Sequence, residues 1–210
     1  MELSQIFAWI KLNWALILPI ILSVIAILFT AFKEFILPSF IQPKLSITYL
    51  QEAPYKRGPI IKNSGDLIEV FERFKVENIG KEVAKNVRCQ IYQIKDSNKK
   101  TVDFQGYHLK WASRPETTQD FSKVERINIA RGESEFVDLV YMRTDNTTNI
   151  YFNKYPNIPS GMNDSIPADN YSFIVIISGD NFKPYLVSFK INKKIDITGV
   201  KVILEEVRRI

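Results

Sequence analysis

The chain has 210 residues, 46% of them hydrophobic and 24% charged, with a formal net charge of +5. That length holds one domain of ordinary size plus an anchor, and the composition excludes disordered and fibrous classes. One cysteine, Cys89, rules out an internal disulfide, and with a single histidine, His108, it also rules out the usual zinc ligand sets.

The charge is unevenly placed. Residues 1–37 carry Glu2, Lys11, Lys33 and Glu34, which cancel, so the whole excess belongs to the remainder. There it is spread as Lys56-Arg57, Lys99-Lys100, Lys193-Lys194 and Arg208-Arg209. A nucleic-acid surface gathers its cations, often with aromatics between them. This dispersed pattern argues against nucleic acid and fits mild attraction to anionic lipid headgroups.

From Leu12 to Phe32 there is no charged residue. As a helix this run is roughly 31 Å long, matching a hydrocarbon core of about 30 Å. Trp9 and Trp14 sit near one end, and Lys11 and Lys33 can reach outward at the two boundaries. Trp9, Lys11, Trp14 and Lys33 are therefore the expected boundary residues of a transmembrane helix at about 12–32, inside an N-terminal segment 1–37. Pro19 lies within the span, where a bend is tolerated. The competing readings are a cleaved signal peptide, with Val24-Ile25-Ala26 as its cleavage site, and a buried core helix, for which the rest of the chain offers too little apolar surface to surround it. Against cleavage, the apolar run continues through Ile27, Leu28 and Phe29, and the residues before the run are only weakly basic. Lys33 and Lys44, then Lys56, Arg57 and Lys62, outweigh Lys11 and the α-amino group, which leans toward a cytoplasmic C-terminal domain; an extracytoplasmic one is the alternative.

Residues 38–43, bounded by Pro38 and Pro43, read as a linker. The expected domain, 44–195, is rich in strands. Alternating runs occur at Lys44–Leu50, Val70–Asn78, Asn86–Lys95, Thr101–Phe104, Tyr107–Trp111, Val124–Ala130, Ser134–Tyr141, Tyr171–Ser178 and Tyr185–Ile191. Val70, Phe74 and Val76 share one face, with Glu72 an exception among them. Period-two strands at short spacing, with no interleaved helices, predict an antiparallel β-sandwich. Thr144–Asn170, rich in Asn, Pro, Asp and Thr, reads as a long exposed loop. In the tail, 196–210, Val200, Ile203, Leu204 and Val207 have helical spacing, while Val200, Val202 and Leu204 suit a strand. Both readings stay open, so the fold class is mainly β, with a transmembrane helix before it and a short C-terminal helix as an option.

The stretch FKVENIGKEVAKNV (Phe74–Val87) carries Val76, Asn78, Gly80, Ala84, Asn86 and Val87 in the order V-x-N-x-G-x-x-x-A-x-N-V. This resembles the signature of CARDB-like and related bacterial and archaeal immunoglobulin-like domains. Physically, Asn78 and Gly80 shape a corner between two strands, and Ala84 and Val87 pack as the next one begins. The wider layout is similar to a loose group of uncharacterised prokaryotic single-span membrane proteins. In these an apolar helix leads to P-K-L (Pro43-Lys44-Leu45), L-x-W (Leu109, Trp111), a G-E turn (Gly132-Glu133) and a late apolar strand (Tyr171, Phe173, Val175). The resemblance implies an immunoglobulin-like sandwich and no particular chemistry.

Residue by residue, catalytic equipment is lacking. His108 has no nucleophile motif beside it, Cys89 shares an apolar face with Val87 and Ile91, and Trp111 ends an alternating strand as a core plug or lid. No phosphate-binding glycine loop, nucleophile elbow, HExxH or EF-hand spacing is present. No catalytic residue, cofactor or metal ligand is expected, and Asp138, Asp145, Asp164, Asp169 and Asp180 read as solvated charge. The expected function is a membrane-anchored, non-enzymatic binding or scaffolding module whose partners are the bilayer and another protein. Its contacts are expected at Tyr151 and Tyr155 in the long loop and at Val200, Ile203, Leu204 and Val207 in the tail. The alternatives are an outward-facing envelope module binding carbohydrate or surface ligands through Tyr107, Trp111, Tyr151 and Tyr155, or an accessory subunit of a larger membrane complex.

Overall fold

The computed structural model describes residues 3–37, 41–61, 68–102, 108–114, 125–143, 146–153, 165–196 and 199–210. The chain divides into two compact units, Met1–Gln42 and Pro43–Ile210.

The first unit is helix α1 (Leu3–Ala31) followed by a π-helical turn (Phe32–Ile36). Within it, Trp14–Ile36 is a 23-residue stretch long and apolar enough to cross a membrane, and none of it is buried inside the protein. Leu16, Ile25, Ile27 and Phe29 are all exposed, which no helix of a soluble core could sustain. Pro19 lies inside α1, and the Ser23 hydroxyl donates to the Pro19 carbonyl at 2.7 Å. That bond satisfies a polar side chain inside an apolar stretch without leaving the helix. The helix is longer than the uncharged run. Trp9 and Lys11 fall within α1 and Lys33 within the π turn, so none of the three caps it. The side chains of Trp9 and Lys11 lie outside the described residues, whereas Trp14 is exposed.

The second unit is a two-sheet antiparallel sandwich. Its strands are β1 (Leu45–Thr48), β2 (Lys56–Ile61), β3 (Ile68–Asn78), β4 (Ala84–Lys95), β5 (Ile127–Ile129), β6 (Ser134–Arg143), β7 (Asn146–Tyr151), β8 (Ser165–Pro167), β9 (Tyr171–Ser178), β10 (Tyr185–Asp196) and β11 (Gly199–Arg209). One sheet has the order β1-β3-β6-β7-β8, with β2 also paired to β3; the other has the order β11-β10-β9-β4-β5. Alternation explains the layering: in β9 Tyr171, Phe173, Val175 and Ile177 are buried while the residues between them are half-exposed. Across the layers Phe74 of β3 meets Phe189 of β10 at a centroid distance of 5.1 Å. The Tyr185 hydroxyl accepts from the Leu45 amide at 3.1 Å. Trp111 is fully buried, and its indole N–H donates to the Glu125 carbonyl at 3.0 Å, so it is a core residue and not an exposed aromatic.

The tail is a strand and not a helix. Val200 and Val202 fill the core, and β11 pairs with β10 from Asp196↔Gly199 to Tyr185↔Arg209. A register shift opposite Ser188/Phe189 leaves Glu205 as an extra residue. The face shared by Val200, Val202 and Leu204 then passes to Val207, which lies opposite the buried Val187 but beyond the covered part of the core, so that it is itself exposed. One inserted residue in an alternating strand imitates helical spacing, which is why the sequence supported both readings.

Thr144–Asn170 is not one open loop, because β7 and β8 pair within it; residues 144–145 and 154–164, Tyr155 included, lie outside the described residues. The runs Thr101–Phe104 and Tyr107–Trp111 supply isolated bridges at Thr101, His108 and Trp111 in place of strands, with residues 103–107 outside the described set. Strand β2 has Gly58 and Pro59 at its centre and lacks the alternation that marks the others.

Candidate functional site

One end of the sandwich is tied together by side-chain amides. Asn78, fully buried at the end of β3, donates from Nδ2 to the carbonyls of Glu82 (2.6 Å) and Ile129 (3.0 Å), and its Oδ1 accepts from the Gly80 amide (3.0 Å). The Asn78–Gly80 corner expected from the sequence is therefore built on a single asparagine whose amide meets three backbone groups. Beside it, Asn181 accepts from the Lys85 amide at 3.0 Å and donates to the Val83 carbonyl at 2.9 Å. Asn86 takes a positive φ of 51°, which asparagine tolerates, and its Nδ2 donates to Asp180. The Asp180 amide donates to the Lys85 carbonyl at 3.1 Å. Gly179 is required here, since a Cβ would stand 2.7 Å from the Lys85 carbonyl oxygen.

The chain enters the domain at this same end. The Ile79 amide donates to the Lys44 carbonyl (2.8 Å), the Asn78 amide to Glu133 (3.0 Å) and the Ile210 amide to Pro184 (2.9 Å). The first residues of the domain, the β3–β4, β5–β6 and β9–β10 connections and Ile210 thus form one cluster. Lys44, Lys81, Lys85, Arg131, Lys183 and Arg209 are exposed there, with Glu82, Glu133 and Asp180 the exposed acids. Sequence reasoning missed this grouping because the cations come one at a time from separate segments, with no run to mark them.

Two buried ionic groups lie on opposite faces of β3. Glu72 shares the face of Val70, Phe74 and Val76 and is almost wholly buried, so the sequence exception is an inward carboxylate with partners. Tyr49 donates its hydroxyl to Glu72 at 2.7 Å, and Lys56 lies 3.5 Å from the other carboxylate oxygen. Burial pushes the Glu72 carboxyl up, against the pull of Tyr49 and Lys56, and burial and Glu72 together push the Tyr49 phenol up. On the other face Arg73 pairs with Asp138, whose second oxygen accepts from Asn153 at 2.6 Å. Burial pushes Asp138 up although Arg73 pulls it down. Asp138 is thus a buried paired charge, not a solvated one. Next to this pair the rings of Phe71, Tyr141 and Tyr151 stack in turn at 5.1 and 5.3 Å, with Arg73 over Phe71 and Arg143 over Tyr151. Tyr151 is engaged in that ladder.

His108 has a buried Nδ1 with no hydrogen-bond partner among the described residues, and its Nε2 is 4.0 Å from Glu125. Burial lowers its pKa, assisted by Arg88 and Arg126 and opposed by Glu125. Burial raises the Cys89 thiol well above its ordinary value, which keeps it a protonated core residue. Among the described residues no three His, Cys, Asp or Glu side chains gather where they could hold a metal ion. The tail contacts expected from the sequence separate into two sets. Val200 is buried and Leu204 packs against the core, while Ile203 and Val207 are exposed.

No protein-family model matches the chain, and no curated protein matches it. A solved structure described as a Northeast Structural Genomics Consortium target, SoR45, is similar over 82% of this chain and 87% of its own, at 12% identity and a TM-score of 0.24. That likeness is too slight to carry an argument about fold or function.

Proposed function

We propose that this protein is a membrane-anchored, non-enzymatic binding or scaffolding module, in which α1 spans the bilayer once and the sandwich recruits a protein partner at the cytoplasmic surface. The stretch Trp14–Ile36 carries the reading, because it is apolar, of spanning length and buried nowhere in the protein. Exposed apolar surface costs about 25 cal/mol per Å² in water, a cost a bilayer removes. Tethering raises the effective concentration of whatever the domain contacts. The proposed contact is strand β11, which ends the order of its sheet and carries the exposed Ile203 and Val207; Gln51 already donates to its Val202 carbonyl at 3.2 Å, so strand addition is assigned to its second half, around Val207.

Alkaline carbonate extraction tests the anchor: the full chain stays with the membrane fraction. Its release, or a mature chain beginning after Ala26, overturns the anchor. A C-terminal tag is protected from protease in intact cells, and its digestion overturns the cytoplasmic placement. Charge at Val207 (Val207→Lys) strips a partner recovered in mild detergent; retention of every partner removes β11 as the contact.

A further inference from the structure

We infer that the end of the sandwich built around Asn78 docks on the headgroups of an anionic bilayer, as a second contact beside the helix; this rests on the spanning reading of α1. Three observations converge on it. The first is chain length. Seven steps lead from Ile36, the last residue of the apolar stretch, to Pro43, the first of the domain. Fully extended they span roughly 25 Å, so this end cannot leave the neighbourhood of the surface from which the helix emerges. The second is apolar exposure at the loop tips. Ile79 is 52% exposed, Val83 40% and Ile210 51%, three apolar side chains on adjoining segments of this one end.

The third is charge. Lys44, Lys81, Lys85, Arg131, Lys183 and Arg209 are exposed on the same connections and strand ends as these tips and outnumber the exposed acids Glu82, Glu133 and Asp180. Apolar tips and cations on the same connections fit a surface that is negative outside and oily just beneath. The tips are also held in place. Asn78 grips the Glu82 carbonyl, and Asn181 grips the β3–β4 loop at Val83 and the start of β4 at Lys85. Little loop ordering therefore remains to oppose docking. An acidic protein would satisfy the cations alone. The exposed isoleucines and the short connection favour lipid.

The test uses the full chain in nanodiscs of phosphatidylcholine alone or mixed with phosphatidylserine. Because Cys89 is fully buried, a polarity-sensitive dye can be attached at Val83→Cys, with Tyr92→Cys, an exposed site on β4 away from this end, as the control. The dye at position 83 shifts to the blue and is quenched by spin-labelled lipid in the anionic discs, much less in neutral discs or at high salt. The dye at position 92 stays aqueous. Charge reversal by Lys81→Glu, Lys85→Glu and Lys183→Glu abolishes the shift at 83 while the helix remains embedded.

An aqueous signal at 83 in anionic discs with the helix embedded overturns the docking and leaves the anchor standing. Failure of the chain to enter discs overturns the anchor itself. Equal quenching at 83 and 92, or quenching at 83 that ignores charge reversal, also overturns the assignment. So does a charge-reversed protein that keeps its lipid contact and loses an acidic protein partner, which makes this end a protein-docking surface.

Discussion

Arg73 on β3 and Asp138 on β6 face each other in register and form an ion pair that is almost closed to solvent, with Asn153 completing the carboxylate. Removing one member of such a pair is far worse than removing both. Asp138→Ala strands the Arg73 guanidinium and is expected to cost about 3–5 kcal/mol. Combining Arg73→Met with Asp138→Leu recovers most of that loss. Urea unfolding of the two variants, followed by tryptophan fluorescence, measures the difference.

Asn78 supplies three hydrogen bonds from one side chain to the backbone, and no other residue type offers two donors and an acceptor at that length. Asn78→Ala leaves the Ile129 and Glu82 carbonyls short of a donor, with an expected loss of about 2–3 kcal/mol. Asn78→Asp keeps the acceptor, brings a negative charge against those two carbonyls and destabilises at least as much at neutral pH. Thermal melts of the three proteins in one buffer decide the order.

His108 gives the domain an acid-sensitive component. Its folded pKa is lowered, first by burial, so the folded state holds the neutral ring while the unfolded chain binds a proton near pH 6.5. More protons on the unfolded side mean that stability rises with pH through this window. The contribution is intact above about pH 6.5 and is lost progressively as pH falls toward the lower folded value. Melting temperatures taken on acidification below neutrality fall for the native chain, and His108→Gln flattens that slope.

Glu72 acts with the opposite sign. Burial raises its folded pKa, so between the ordinary carboxylate range and the raised value the folded state holds the extra proton. Stability due to this group therefore falls as pH rises through that window. Glu72→Gln removes the slope and leaves stability near neutrality unchanged or improved. Tyr49→Phe removes the donor 2.7 Å from the carboxylate, steepens the slope and costs about 1–3 kcal/mol. Urea midpoints at mildly acidic and neutral pH separate the three proteins.

Periodicity made the sandwich legible where strands alternate cleanly, as in Tyr171–Ser178, and the long apolar helix was legible because an uncharged run needs no partner to be seen. What escaped the sequence shares one cause, namely that its meaning depends on a neighbour distant along the chain. Asp138 resembles any other loop or strand-end aspartate until Arg73, 65 residues earlier, is set against it. The cations of the Asn78 end come from five separate segments and form no run. In β11, the bulge residue Glu205 turned alternation into apparent helical spacing. Tyr151 read as a free aromatic because Tyr141, its stacking partner, lies on another strand.

The bond from the Leu45 amide to the Tyr185 hydroxyl joins residues 140 apart in the chain, and it has a consequence for how the molecule comes into being. A core closed by contacts of such separation belongs to the slow class of folders, because loop closure must precede any reward. Synthesis delivers the apolar helix before β1, and β10, whose Tyr185 meets β1 across the layers, long after it. On the tethered reading, the leash is fastened while the domain is still an open chain, and β1 waits beside the bilayer for the strand that will cover it.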